Sequence, residues 1–401
     1  MPVGAALGLS GGGGLNAMVG PSLRVLALVT DAFGGRGGIA QYNRDFLSSL
    51  ATCDQIGDVI VLPRASATPL DTLPSGIRHL PPAQGRLAFS FGALRAAWAH
   101  RPIDVVFCGH LFMAPLAVVI ARLLHARLWV QVHGIEAWQE LSRLYRQSVE
   151  AADLITAVSR YTRRRLLEWI GLDPATVKVL PNTVGPRFHP GPKRGDLLDR
   201  HDARGKKILM TVSRLARSER YKGHDRVIRC LPQVFLHHPE TIYLIVGDGD
   251  DRPRLEALAS EFAVQDKVRF AGPIAGDELP DYYRLADVLV MPSTGEGFGI
   301  VFLEAMACGI DVIGGNQDGS KDPLGDGALG SAINPEDSEE LVSAIFAALR
   351  KPASNVDGAA RFKPQVFSKH VQALVCSHFI ARSVSANDGR SKKSIRSLLR
   401  P

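Results

Sequence analysis

No apolar run in this 401-residue chain approaches the roughly 20 residues that a membrane-spanning helix needs, so no segment is expected to cross a bilayer. Cysteine is scarce. The five, at 53, 108, 230, 308 and 376, show neither pairing nor metal-ligand spacing, which argues against structural zinc and for a reducing, cytoplasmic setting. The first twenty residues, with Gly11 to Gly14, lack the basic n-region of a signal peptide. Met18 immediately precedes the first strand-like run, so residues 1–17 read as a flexible extension or an over-long start, and residues 1–20 are set apart from the fold. With 46% apolar and 22% charged residues the composition is that of a folded protein, which excludes general disorder. No internal repeat is evident.

The excess of positive charge is modest, +7, and it is local. Arg160, Arg163, Arg164 and Arg165 cluster beside Trp169, with Arg143 and Arg146 just upstream. Such a cluster is either a solvated helix face or a basic, tryptophan-bearing surface that touches anionic lipid at the inner face of a membrane. No recognised nucleic-acid motif accompanies it, so nucleic acid is not expected as a partner. The segment 383–401 is rich in Ser, Lys and Arg and reads as a disordered tail.

Strand-like runs alternate with helical stretches along the rest of the chain, the pattern of parallel sheets built from βαβ units. Strands are expected at Leu23–Thr30, Asp58–Pro63, Ile77–Leu80, Val105–Cys108, Leu128–Val132, Leu154–Val158 and Val177–Leu180. The pattern restarts with Lys207–Val212, Ile242–Val246, Val268–Phe270, Val288–Met291 and Asp311–Ile313. Between the two sets, residues 186–205 are rich in Pro, Gly and charge and read as a linker. The expectation is an α/β protein of two doubly wound, Rossmann-like domains facing across a cleft, 21–185 and 206–382, with ligands at the carboxyl ends of the strands.

The most informative segment runs from Ser293 to Gly309. After the apolar run Val288–Met291, glycines at 295, 297 and 299 allow close backbone approach to a ligand, and Ile300 to Ala307 reads as helix. Free amides at that helix start suit a diphosphate. Glu296 sits in the loop and Glu304 eight positions later, inside the helix. Two merely solvated glutamates are the plain alternative, and the spacing alone is weak. Embedded in Gly-Glu-Gly-Phe-Gly and followed by Glu-Ala-Met-Ala-Cys-Gly, the pair resembles the signature of retaining glycosyltransferases of the GT-B fold, most closely glycosyltransferase family 4. The resemblance covers roughly residues 20–350.

That resemblance implies a nucleotide diphosphate sugar as donor substrate and no cofactor or metal. It places Glu296, with the amides of Phe298 and Gly299 and adjoining Ile300, on the sugar, and Glu304 on the ribose. Arg214 in Ser-Arg-Leu and Lys222 in Tyr-Lys-Gly-His-Asp match the family's cation pair for the diphosphate, with Arg220 an open alternative to them. Gly37 and Gly38, in Gly-Gly-Arg-Gly-Gly-Ile, match the family's glycine loop near the phosphates, although a tight turn explains them equally well. His133, at the end of the strand ending in Val132, matches the family's histidine near the transferred sugar. A structural hydrogen bond is its ordinary reading. Gly247 is expected to line the donor cleft and Ile274 to meet the base. Asp248-x-Asp250 tempts a metal assignment, but turn formation and capping are preferred. Asn182 reads as a turn residue, and Gly314-Gly315 lacks the glutamate that often follows in the family.

The expected function is transfer of a hexose with retention to a hydroxyl acceptor, a saccharide or a lipid-linked one, in bacterial surface polysaccharide or glycolipid assembly. A phosphorylase or epimerase of the same fold, or a non-catalytic sugar-nucleotide-binding protein, are the alternatives. A dehydrogenase is the least favoured reading, because the glycine fingerprint is malformed. The sequence gives no oligomeric state.

Overall fold

The computed structural model describes residues 22–35, 37–66, 72–350 and 357–380. The expected extension at 1–20 and the basic tail at 383–401 lie outside them. Chain order is β1 (Leu23–Val29), α1 (Gly38–Ala51), β2 (Ile56–Pro63), β3 (Ile77–His79), α2 (Arg86–Ala99), β4 (Val105–Cys108), α3 (Ala114–Leu124), β5 (Arg127–Val132), α4 (Arg143–Glu150), β6 (Leu154–Ala157), α5 (Arg160–Leu167) and β7 (Val177–Val179). These strands form one seven-stranded parallel sheet in the order β3-β2-β1-β4-β5-β6-β7. Chain order reverses between β1 and β4, the position where such sheets open a crevice for ligands.

The second unit comprises α6 (Gly195–Arg200), β8 (Lys207–Val212), α7 (His224–His237), β9 (Thr241–Val246), α8 (Arg252–Glu261), β10 (Val268–Gly272), α9 (Leu279–Leu285), β11 (Val288–Met291), α10 (Ile300–Ala307), β12 (Asp311–Gly315), β13 (Ser331–Ile333) and α11 (Ser338–Arg350). Its six-stranded parallel sheet has the order β10-β9-β8-β11-β12-β13, with the reversal between β8 and β11. Helices cover both faces of each sheet, so the strands are buried on both sides. This is why they read as unbroken Val/Ile/Leu runs rather than alternating ones. The short β13 carries only Ser-Ala-Ile and gave no such signal.

The first core is layered with aromatic rings: Phe46 stacks on Phe107 at 4.3 Å, and Trp129 meets Phe46 edge-on at 4.9 Å. The last helix, α12 (Pro364–Val375), closes this layer from the far end of the chain. It packs on α1, with Phe367 at 6.0 Å from Tyr42, Phe379 at 5.5 Å from Trp129, and Ser368 bonded to Ser49 at 2.9 Å. The expected boundary at 382 therefore does not hold for the last described stretch. Phe367, Val371, Val375 and Phe379 recur every four residues, and the apolar face they form is buried against the first domain. The expected linker is also more than a tether. Arg194 pairs with Asp281 at 3.0 Å, Lys193 with Asp287 at 3.1 Å, and Leu197 is buried, so 186–205 lies along the second domain.

Among the described residues no helix is long and apolar enough to cross a membrane. The arginine cluster of α5 is tied inside the chain. Arg160 pairs with Asp322 and Asp326 of the second domain, Arg163 donates to the carbonyls of Val177 and Pro174, and Arg165 donates to the carbonyl of Trp138. Arg164 lies over the Tyr161 ring.

Candidate active site

Two adjoining cavities, of about 250 and 760 Å³, lie between the sheets and share Gly38, Arg214, Lys222, Glu296, Gly299 and Ile300. Their size is that of ordinary small-molecule sites. Each wall comes from a loop at the carboxyl end of a strand: Gly37 and Gly38 after β1, His133 after β5, Arg214 after β8, and Glu296 to Ile300 after β11.

Two helices begin at the cavity. Gly37, with φ 100°, caps α1, and Gly299, with φ 86°, caps α10, neither with a side-chain bond. A Cβ on Gly38 would lie 4.0 Å from Ile300, so the two helix starts approach each other across the domain boundary. The positive ends of both helix dipoles and their unshared amides address the same space, which favours an anion.

The loop 293–299 is shaped from both sides. Ser293 accepts the Gly295 N–H at 3.1 Å, and the Glu296 N–H donates to Asp318 at 2.7 Å. The Gly319 N–H donates back to the Glu296 carbonyl at 2.8 Å. Gly297 must lack a side chain, since a Cβ there would sit 1.9 Å from the His133 carbonyl oxygen of the other domain. Burial raises the Glu296 carboxyl pKa, and Lys222 opposes the rise.

The cations are held in reserve by one acid. The Lys222 ammonium lies 3.0 Å from Glu219 and 3.9 Å from Glu296, and Arg214, largely exposed, also pairs with Glu219. Arg220, the open alternative, instead pairs with Asp251 at 2.8 Å and does not line these cavities. Glu304 lines the larger cavity beside Ile274. It accepts the Tyr283 hydroxyl at 2.7 Å, and burial pushes its pKa up to about 7.

His133 lies in the smaller cavity with its Nε2–H donating to the Gly109 carbonyl at 2.9 Å, which leaves Nδ1 as an acceptor. Burial lowers its pKa to about 4, with Glu136 opposing, so the ring is neutral at physiological pH.

The structure does not bring Gly247 to the cavities. A Cβ on it would meet the Ser213 carbonyl oxygen at 1.8 Å, and its φ of 127° serves that close strand-end crossing. Asp248 accepts the Gly249 N–H and Asp250 the Arg217 N–H, so both carboxylates shape turns. No group of three or more His, Cys, Asp or Glu side chains suited to a metal occurs among the described residues.

Sequence reasoning missed three residues. Asp318 is fully buried beneath the Glu296 loop, Glu219 neutralises both cations, and Asn182 is a cavity wall rather than only a turn. Asn182 is nearly buried and its Oδ1 has no hydrogen-bond partner, an open position next to His133.

Residues 199–364 match the family model described as glycosyl transferases group 1, and residues 36–188 match that of glycosyltransferase family 4. The GDP-mannose-dependent alpha-(1-6)-phosphatidylinositol monomannoside mannosyltransferases of Mycolicibacterium smegmatis and Mycobacterium tuberculosis are each 33% identical to it, over 60% and 63% of this chain. The chain spans 66% and 68% of those relatives, about two thirds of their length. Among solved structures, the Anabaena Alr3699/HepE complex with UDP and glucose superposes with a TM-score of 0.67 at 19% identity, covering 93% of this chain and 100% of that one, and it shares the fold.

Proposed function

The chain belongs to the family 4 glycosyltransferases, and from that premise we propose that it moves a hexosyl group from a nucleotide diphosphate sugar to a hydroxyl acceptor with retention of configuration. One observation carries the reading. The starts of α1 and α10, the cations Arg214 and Lys222, and the acid Glu296 all converge on one pair of cavities.

In this reading the diphosphate lies between the two helix starts and draws Arg214 and Lys222 away from Glu219. Both cations then neutralise charge that grows on the departing phosphate. Glu296 and the amides of Phe298, Gly299 and Ile300 hold the sugar hydroxyls, Glu304 the ribose, and Ile274 the base. The bond from the anomeric carbon to the phosphate oxygen breaks while the acceptor oxygen attacks from the same face. The acceptor proton passes to the leaving phosphate oxygen, so no protein base is required. A neutral His133 suits this scheme better as a hydrogen-bond acceptor through Nδ1 than as a base. The chain's own cations and helix dipoles match the diphosphate charge, which favours transfer without a metal.

The relatives' stated dependence on GDP-mannose supports that sugar nucleotide as donor. A saccharide or lipid-linked acceptor in bacterial envelope assembly fits the same relatives, whose name gives phosphatidylinositol monomannoside as the acceptor. A thermal-shift panel of GDP, UDP and ADP with their common sugar conjugates, with and without EDTA, tests it. A shift with GDP and GDP-mannose that EDTA leaves unchanged is expected. A UDP-only shift overturns the donor, and a shift lost in EDTA overturns metal independence.

A further inference from the structure

Helix α2 is apolar on two opposite sides. Phe89, Ala93, Ala96 and Ala97 are buried against the sheet. Leu87, Phe91, Leu94 and Trp98, at spacings of four, three and four, form one outward face and are exposed by 87, 71, 41 and 72%. Val119 and Leu123 of the neighbouring α3 are exposed as well. Isolated exposed apolar side chains are ordinary, but a continuous stripe on one helix marks a contact surface.

Charge selects the partner. From Pro81 to Leu128 there is one acidic residue, Asp104, against five arginines at 86, 95, 101, 122 and 127. Asp104 accepts the Arg24 N–H at 2.8 Å and Arg127 pairs with Asp153, while Arg86, Arg95, Arg101 and Arg122 are exposed. The Arg101 guanidinium lies over the Trp98 ring, the arrangement of a cation snorkelling beside an interfacial aromatic. A second copy of the same face would set arginine against arginine, which disfavours a symmetric dimer.

We propose that this face docks the protein on an anionic lipid bilayer, with Leu87, Phe91, Leu94 and Trp98 in the headgroup and acyl boundary and the arginines against lipid phosphates. The surface differs from the arginine cluster of α5, whose side chains are engaged within the chain. It also bears on the acceptor. Phe112 and Ile135 are exposed at the carboxyl ends of β4 and β5, and Ile135 lines the smaller cavity beside His133. The first domain thus also presents exposed apolar residues at the cleft, where a lipid-linked hydroxyl would enter, a use that rests on the transfer reading.

Co-sedimentation of the full chain with phosphatidylcholine vesicles, with and without about a third phosphatidylglycerol, tests the surface. The wild type should partition onto the anionic vesicles at least tenfold more strongly than onto neutral ones, and raised salt should weaken it. Phe91→Glu/Trp98→Glu should lower partitioning at least tenfold while leaving the nucleotide thermal shift unchanged. Arg86→Gln/Arg95→Gln should lower it about tenfold on anionic vesicles only. No wild-type binding, or equal binding by the Phe91/Trp98 variant, overturns the proposal. So does a dimer in sedimentation velocity that the same variant dissolves, which would make a second copy the occupant. Nucleotide binding without vesicle binding sinks only the docking surface, and the converse sinks only the transfer reading.

Discussion

The main-chain N–H of Glu296 donates to the buried carboxylate of Asp318 at 2.7 Å, across 22 residues of sequence. Asp318 also accepts the Ser320 N–H at 2.9 Å, so one side chain fixes two loops at once. It orients the peptide from which the Glu296 side chain enters the cavity. Asp318→Ala should cost about 2 kcal/mol of stability by leaving two buried amides unpaired. It should weaken donor binding at least tenfold, read by calorimetric titration beside a melting curve. Unchanged donor affinity in a destabilised variant would confine Asp318 to folding.

Glu296→Ala and Lys222→Ala should each abolish transfer without unfolding the protein, as read from product formation and circular dichroism. Full turnover by either variant would remove it from the proposed site.

Glu219 competes with a bound diphosphate for Arg214 and Lys222. Removing its charge should therefore strengthen nucleoside diphosphate binding. Glu219→Gln is expected to lower the Kd for GDP by roughly three- to tenfold, given partial exposure and screening. Weaker binding would show that Glu219 aims the cations rather than restrains them.

Burial holds the Glu304 carboxyl up to a pKa of about 7, above the ordinary glutamate value of 4.5. As pH rises from 4.5 towards 7 the unfolded carboxylate ionises while the folded one stays protonated, so this group lowers stability across that window. Glu304→Gln keeps an acceptor for the Tyr283 hydroxyl and removes the titration. The variant's stability relative to wild type should grow between pH 4.5 and 7 by the order of 2 kcal/mol and then level off, as followed by denaturant melts. A difference constant with pH would contradict the buried, neutral state.

Gly297→Ala should abolish transfer with little loss of secondary structure. The added methyl would meet the His133 carbonyl oxygen and part the two domains at the cavity. Wild-type activity would mean that the domains need not touch there for catalysis.

The strands were legible because burial on both faces leaves unbroken apolar runs, and Val105–Cys108, Lys207–Val212 and Val288–Met291 match to the residue. Glu296 and Glu304 were legible because a loop and its following helix keep their spacing in space. Asp318, Glu219 and Asn182 were not, since their significance lies in what tertiary closure sets beside them. Gly247 shows the reverse error. A glycine after a strand suggested a ligand, but here the neighbour is the Ser213 carbonyl. The stripe on α2 was hidden by its own composition, since a helix apolar all round reads as core.

The return of α12 to the first domain has a consequence for biogenesis. The aromatic layer of Phe46, Phe107 and Trp129 is completed by Phe379, near the end of the described chain. The domain made first during synthesis is thus finished last. It waits with one face uncovered until the second domain has been synthesised, and that second domain forms between two passes of the chain through the first.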